Sequence, residues 1–281
     1  MKTLVLLSLL AASPEATRWW SHVEYMADDK LEGRNTGSAG HRQACEYTAQ
    51  EFERAGLKPG GAQGYFQNAK FTVRQIDESK SSLVLQRDGQ STPLTLGQDG
   101  YFGLRTQPAP SLKAKMIFVG YGLVVPEHQW DDLKGLDLKG KIAVFLTGGP
   151  KSIPAALKSH YQSVPERWKV LEAAGAVGIA TFQNPKNADI PWDRATLARL
   201  APAMVLADPK LQDARTQKIS LTLNPAHLDK FFAGTGHTAE EIFKLADADQ
   251  PLPKFDLPGA IVAKAAVRRS NVESQNVIGL L

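Results

Sequence analysis

The chain of 281 residues has room for one large domain or two ordinary ones, and 43% apolar with 22% charged residues suits a globular chain with a buried core. Its net charge is only +4 and no long run of like charges occurs. The densest basic spots, Arg268-Arg269 and Lys139 with Lys141, read as solvated faces, so no nucleic-acid partner is expected. One cysteine, Cys45, excludes an intramolecular disulfide and a multi-thiolate zinc site, and its helical surroundings make it a small buried hydrophobe.

The opening "MKTLVLLSLLAASPEA" sets one lysine before an apolar run, Leu4 to Ala12, that ends in small residues. Residues 1–12 have the layout of a secretory signal peptide, too short for a bilayer-spanning helix. The expected location is periplasmic or secreted, with no stable membrane span; a misplaced start codon is the competing reading. Ser13-Pro14 then supplies a capping hydroxyl and a proline at the first helical position, and Trp19, Trp20, Val23, Met26 and Ala27 follow at helical spacing. After the glycine-rich "KLEGRNTGSAG", a second helix is predicted from near Ser38 through Ala44, Thr48, Phe52 and Ala55, stopped by Gly56 with Pro59 beyond. Both helices carry few apolar residues and must pack on something else.

From about Tyr65 the pattern turns to strands. "SLVLQRDGQSTPLTL" predicts a hairpin around Asp88-Gly89. Strands are predicted at Met116–Val119, Ile142–Leu146 and Ala176–Phe182, the last preceded by a helix from about Pro165 to Ala174. Further strands fall at Ala203–Leu206 and Ile219–Leu223. Short helices follow near Pro225–Ala233 and Thr238–Ala246, the second with a capping box of Thr238 and Glu241. "DADQPLPKFDLPGA", with three prolines, reads as a linker, and Ile261–Val267 as a strand. The closing apolar residues Val277, Ile278, Leu280 and Leu281 read as a strand buried on both faces.

Motifs that resemble chemistry do not hold together. "GLDLKGKI", Gly135–Ile142, approaches a phosphate loop, but Ile142 replaces the magnesium-holding hydroxyl and a strand follows where a helix is needed. "GTGHTA", Gly234–Ala239, follows a helix rather than a strand, and "TGSAG" lacks the first glycine of a nucleophile elbow. The six histidines, His22, His41, His128, His160, His227 and His237, include no pair three to five residues apart. His227 and Asp229 have the H-x-D spacing of some zinc peptidases, yet on a helix positions two apart diverge by about 200°. Glu240-Glu241 resembles a metal-peptidase pair, but Glu241 already has the capping role.

Four stretches together resemble the co-catalytic di-zinc aminopeptidases, family twenty-eight of the metallopeptidases, in the bacterial form with a protease-associated domain. They are "HVEYMADDKLEGRNTGSAGHRQACEYTAQEFERAGLKPGG", "VGYGLVVPEHQWDDLKGLDLKGKIAVFLTGGP", "VLEAAGAVGIATFQNP" and "SQNVIGLL", in the family's order. The resemblance implies an α+β layout. Residues 13–62 would be an N-terminal helical segment of the peptidase core. Residues 63–258 would be a β-rich insert holding the protease-associated domain, its core about 112–212. Residues 259–281 would hold the first strands of an incomplete α/β peptidase core. It also implies that the zinc ligands, two zinc ions and the general-base Glu of the full-length enzyme lie after "NVIG". No catalytic or metal residue is therefore carried onto this chain, which has no cofactor of its own and is expected to be inactive alone. The implied partners are a peptide or protein substrate and the missing peptidase core.

Matching residues receive structural roles: Gly120, Gly122, Gly140 and Gly175 at turns, and Trp130 as a packing anchor. Leu31–Arg34 either approaches the catalytic face or is an inter-helix turn with Arg34 in a salt bridge. Two rival readings remain. One is a free-standing protease-associated module that binds peptides or proteins without catalysis, expected to end near Pro258. The other is an unrelated hydrolase with scattered ligands, which has no motif in its favour.

Overall fold

Ser13 accepts a hydrogen bond from the Ala16 amide and Pro14 fills the first helical position, so α1 spans Pro14–Ala27 as the capping signal predicts. The computed structural model describes residues 13–281, and the predicted signal peptide lies outside them. The chain forms two units, one from the segment up to Phe71 with Asn271–Leu281, the other from Thr72 to Ser270. Among the described residues no helix is long and apolar enough to cross a membrane.

In the first unit α1 has no buried residue: Trp19 and Trp20 are 64% and 53% exposed, whereas Val23 and Met26 of the same apolar stripe are half-buried and Tyr25 stacks on Tyr47. Helix α2 (Ala39–Arg54) starts at the Ser38 cap and buries Ala44, Cys45 and Ala49. It is followed by β1 (Lys58–Pro59) and by β2 (Phe66–Ile76), which carries the chain into the second unit.

There the chain runs through β3 (Ser82–Arg87), β4 (Gln90–Leu94), β5 (Gly100–Phe102), β6 (Ser111–Phe118), β7 (Val124–Val125), β8 (Trp130–Asp131) and β9 (Ile142–Leu146). Next come α3 (Ala155–Gln162), α4 (Val164–Ala173), β10 (Gly178–Phe182), α5 (Trp192–Ala195), β11 (Ala203–Leu206) and β12 (Ser220–Leu223). The unit closes with α6 (Asp229–Phe232), α7 (Ala239–Asp247) and β13 (Phe255–Lys264). Asp88 and Gly89 adopt positive φ, 50° and 76°, the two-residue turn that suits the twist of the β3–β4 hairpin.

Eight strands make one mixed sheet in the order β4-β3-β13-β6-β9-β10-β12-β5. β6, β9, β10 and β12 run parallel, and the other pairings are antiparallel. All five residues of β9 are buried. Ile142, Val144 and Leu146 enter one core with Phe118, Phe182 and Phe232, whereas Ala143 and Phe145 enter a second with Trp168 and Leu171 of α4. Trp130 is half-buried against the first core, the anchor role expected of it.

Strand β14 (Val267–Val277) returns the chain to the first unit beside β2, in a three-stranded sheet ordered β11-β2-β14. β15 (Gly279–Leu280) pairs with β1.

Three expectations need correction. The proline-rich "linker" is partly strand: β13 starts at Phe255, and Pro258-Gly259 forms a register shift within it. Proline tolerated at a bulge explains why a strand was hidden there. The segment Ala260–Lys264 then pairs with both β3 and β6, inside the sheet. The helix expected over Pro225–Ala233 divides into a short 3-10 turn, Pro225–His227, and α6, with Leu228 between them in the right-handed helical region; the Asn224 side chain caps the first turn by accepting from the Ala226 amide. The capping box is half formed: Thr238 accepts from the Glu241 amide, but the Glu241 carboxylate contacts His237 Nδ1 at 3.0 Å. The closing run Val277–Leu281, expected to find its covering sheet outside this chain, is only partly covered among the described residues. Leu280 is 53% exposed, and β1 is the partner of β15 among the described residues. The run with double burial is β9.

Gly259 has φ +91°, and a Cβ there would lie 2.2 Å from the Gln86 carbonyl oxygen. Gly259→Ala is therefore expected to lower unfolding free energy by about 2–5 kcal/mol, read from urea denaturation.

Candidate functional site

The turn from β4 into β5 places Asp99 in the interior, 2% exposed. Its Oδ2 accepts from the Thr95 amide at 2.8 Å. Its Oδ1 accepts from Lys230 Nζ and lies 2.8 Å from His227 Nδ1. The same turn is tied to the end of β12: the Asn224 amide donates to the Asp99 carbonyl at 3.0 Å, and Asn224 Nδ2 donates to the Gln98 carbonyl at 2.7 Å. Burial pushes the Asp99 carboxyl up, but the bonds from Lys230, Thr95 and His227 outweigh it, so it titrates below the usual carboxylate range.

Asn224 also borders a groove of about 430 Å³, walled chiefly by Tyr101, Ile190, Trp192, Leu223 and Pro225. The Tyr101 and Trp192 rings lie 5.7 Å apart. Trp192 Nε1 and Thr196 Oγ1 both donate to the Gly97 carbonyl, at 2.9 and 3.0 Å. The indole donor is thus spent on the turn that carries Asp99. Ile190 is 53% exposed. Such walls suit an apolar side chain of a ligand.

The residues with metal-like spacing do not come together. His227 turns to Asp99, whereas Asp229 Oδ1 accepts from the Ala239 amide at 2.9 Å. Glu240 pairs with Lys244 at 2.7 Å on the surface, and Glu241 is occupied by His237. Among the described residues no group of three His, Cys, Asp or Glu side chains could hold a metal ion. The side chains that bear a peptidase-like spacing therefore do not fit zinc.

The Leu31–Arg34 segment is an inter-helix turn. Leu31 is fully buried, and a Cβ at Gly40 would lie 1.9 Å from its carbonyl oxygen. Glu32, Gly33 and Arg34 all have positive φ, 47°, 70° and 53°. Two non-glycine residues in that region cost about 1–3 kcal/mol each. Among the described residues Arg34 makes no ion pair; the paired arginines are Arg54 and Arg199. Cys45 is 7% exposed, and burial pushes its thiol up, the property of an inert cysteine.

Sequence reasoning missed both Asp99 and the groove. Asp99 lies 128 residues from His227, so no local spacing signals their contact. The one available sign was "LGQDGY", Leu96–Tyr101, a polar turn between strands.

No family model and no curated protein matches the chain. Among solved structures it is similar to an aminopeptidase from Aneurinibacillus sp. strain AM-1, at 17% identity and a TM-score of 0.43, over 94% of this chain and 47% of that one. It is also similar to BSAP, a zinc aminopeptidase from Bacillus subtilis, in two structures at 15% and 16% identity with TM-scores of 0.37 and 0.38. Each covers 92% of this chain and 45% of that one, so the chain spans about half the length of these proteins.

A carboxyl held below its ordinary value stabilises the fold above that ordinary value, and the contribution fades as pH falls through the folded value. Asp99→Asn is expected to lower stability at neutral pH by about 1–3 kcal/mol. The gap from the wild type should narrow below about pH 4, seen in urea titrations over a pH series.

Proposed function

We propose that this chain is the N-terminal part of an exported zinc-dependent aminopeptidase, with its β-rich insert serving as the protease-associated lid at the substrate entrance and the zinc centre outside the chain. The observation that supports this reading is the discontinuous first unit. It combines the segment up to Phe71 with Asn271–Leu281, and the whole β-rich unit is inserted between those two pieces. That is the arrangement expected of a core interrupted by an accessory domain. The exposed Trp19 and Trp20 of α1 agree with a core larger than these two pieces. In this reading the groove beside Trp192 receives an apolar side chain of the peptide substrate.

The purified chain of residues 1–281 is expected to hold no stoichiometric zinc by elemental analysis and to leave an aminoacyl chromogenic substrate unchanged. Zinc near two equivalents, or turnover abolished by a chelator, refutes the proposal. A peptide-binding module without catalysis is the second reading, favoured by the groove itself. Coding sequence downstream of Leu281 separates the two: an open frame with an early His-x-Asp supports the peptidase, and its lack supports the module.

A further inference from the structure

A cavity of about 330 Å³ beside β2 and β14 gathers more positive charge than the fold pairs. Thr72 and Arg74, two apart on β2, share the strand face that borders it. Thr106 and Gln212 also line it, and Arg215 and the β14 residue Arg269 are its two exposed cations.

Arg74 is 5% exposed. Its Nη1 donates to the Leu104 and Arg105 carbonyls at 3.5 and 3.1 Å, and its Nη2 donates to Gln212 Oε1 at 2.9 Å. All these acceptors are neutral. Nε has no partner among the described residues, and neither does the hydroxyl of Thr106, itself 5% exposed. Among the described residues the arginines that pair with carboxylates are Arg54 and Arg199, elsewhere. Asp213 lines the same cavity but lies beyond ion-pair distance of all three arginines.

Burial, and then the charge of Arg269, lower the Arg74 pKa. A fold gains nothing from bringing a second cation towards a buried, unpaired guanidinium. Bound oxygens of negative charge remove both costs, since guanidinium donors match carboxylate and phosphate oxygens in pairs.

We propose that this cavity binds a small oxyanion, a carboxylate or a phosphate group, with Arg74 and Thr106 at its floor and Arg215 and Arg269 at its rim. The proposal goes beyond the aminopeptidase reading and does not rest on it. The site lies wholly within the unit Thr72–Ser270.

The test is calorimetric titration of the full chain with inorganic phosphate, with trialanine as the free acid, and with trialanine amide. Saturable binding of phosphate or of the free acid is expected. Preference for the acid over its amide identifies a peptide C-terminus as the source of the oxyanion; binding of phosphate alone identifies a phosphate group. The double variant R215A/R269A is expected to weaken binding by at least about tenfold while its unfolding midpoint stays near that of the wild type. D213N, which removes a repulsive carboxylate, is expected to tighten it. Arg74 is left intact, because its substitution also breaks bonds to two backbone carbonyls. Absence of saturable binding by either anion overturns the proposal, as does undiminished binding in the double variant. So does a D213N variant that unfolds more easily and binds no tighter, since Asp213 would then be the internal counter-ion.

Discussion

Burial of β9 on both faces is the constraint around which the larger unit is arranged. A strand with alternate side chains in two cores needs cover above and below it and a neighbour on each edge. The edges are β6 and β10, both parallel to it. The cover on one side is α4, through Trp168 and Leu171; on the other it is the aromatic set Phe118, Phe182, Phe232 and Phe255. Phe145 reaches so far towards the β6–β7 turn that a Cβ on Gly122 would lie 3.2 Å from its ring. Glycine is required there twice over, since φ at Gly122 is +61°.

Two buried charges sit beside that strand and are handled differently. Asp132, 4% exposed, accepts from the Tyr121 and Leu123 amides at 3.2 and 3.1 Å and so fixes the turn between Gly120 and Leu123. Burial still pushes its carboxyl up, because these bonds and Lys254 at 3.8 Å compensate only in part. Arg167 lies over the Phe145 ring at 4.5 Å, with Nε and Nη2 unpartnered among the described residues. Burial lowers it to about 10, against the opposing pull of Asp132. The ring face partly replaces the missing acceptors. Asp99 is the opposite case, a buried carboxylate whose hydrogen bonds from Lys230, Thr95 and His227 outweigh its desolvation. Arg74 differs from all three: its neighbours are neutral acceptors and another cation.

Local chemistry was legible in the sequence, and long-range chemistry was not. Ser13, Ser38 and Thr238 cap helices within three residues of themselves, so the letters suffice. The same holds for Asp88-Gly89, whose backbone demand is met by the residues in the turn. Pro258 misled because proline excludes a regular strand but not a bulged one, and the bulge depends on Gln86 of β3. The closing apolar run shows the same dependence: burial is set by what lies beside a strand, which its own residues do not encode. His227 and Asp229 show the limit most clearly. Their spacing matched a metal motif, but Asp99 and the Ala239 amide claimed them. Arg269 was readable as a solvated cation and remains exposed; its significance comes from β2 beside it, nearly two hundred residues away in sequence.

The same pairing of β2 with β14 closes the long segment of chain between them. The chain leaves the first unit within β2 and re-enters it within β14, so departure and return occur on adjacent strands of one sheet. Bringing the ends of an insert together costs entropy that grows only slowly with its length, and here strand pairing supplies the closure. A segment closed in this way can carry its own core. Arg74 and Arg269 belong to the unit Thr72–Ser270, where the pairing of these strands brings the two cations to one cavity. An anion held there would touch Arg74 of β2 and Arg269 of β14 together, within the unit Thr72–Ser270.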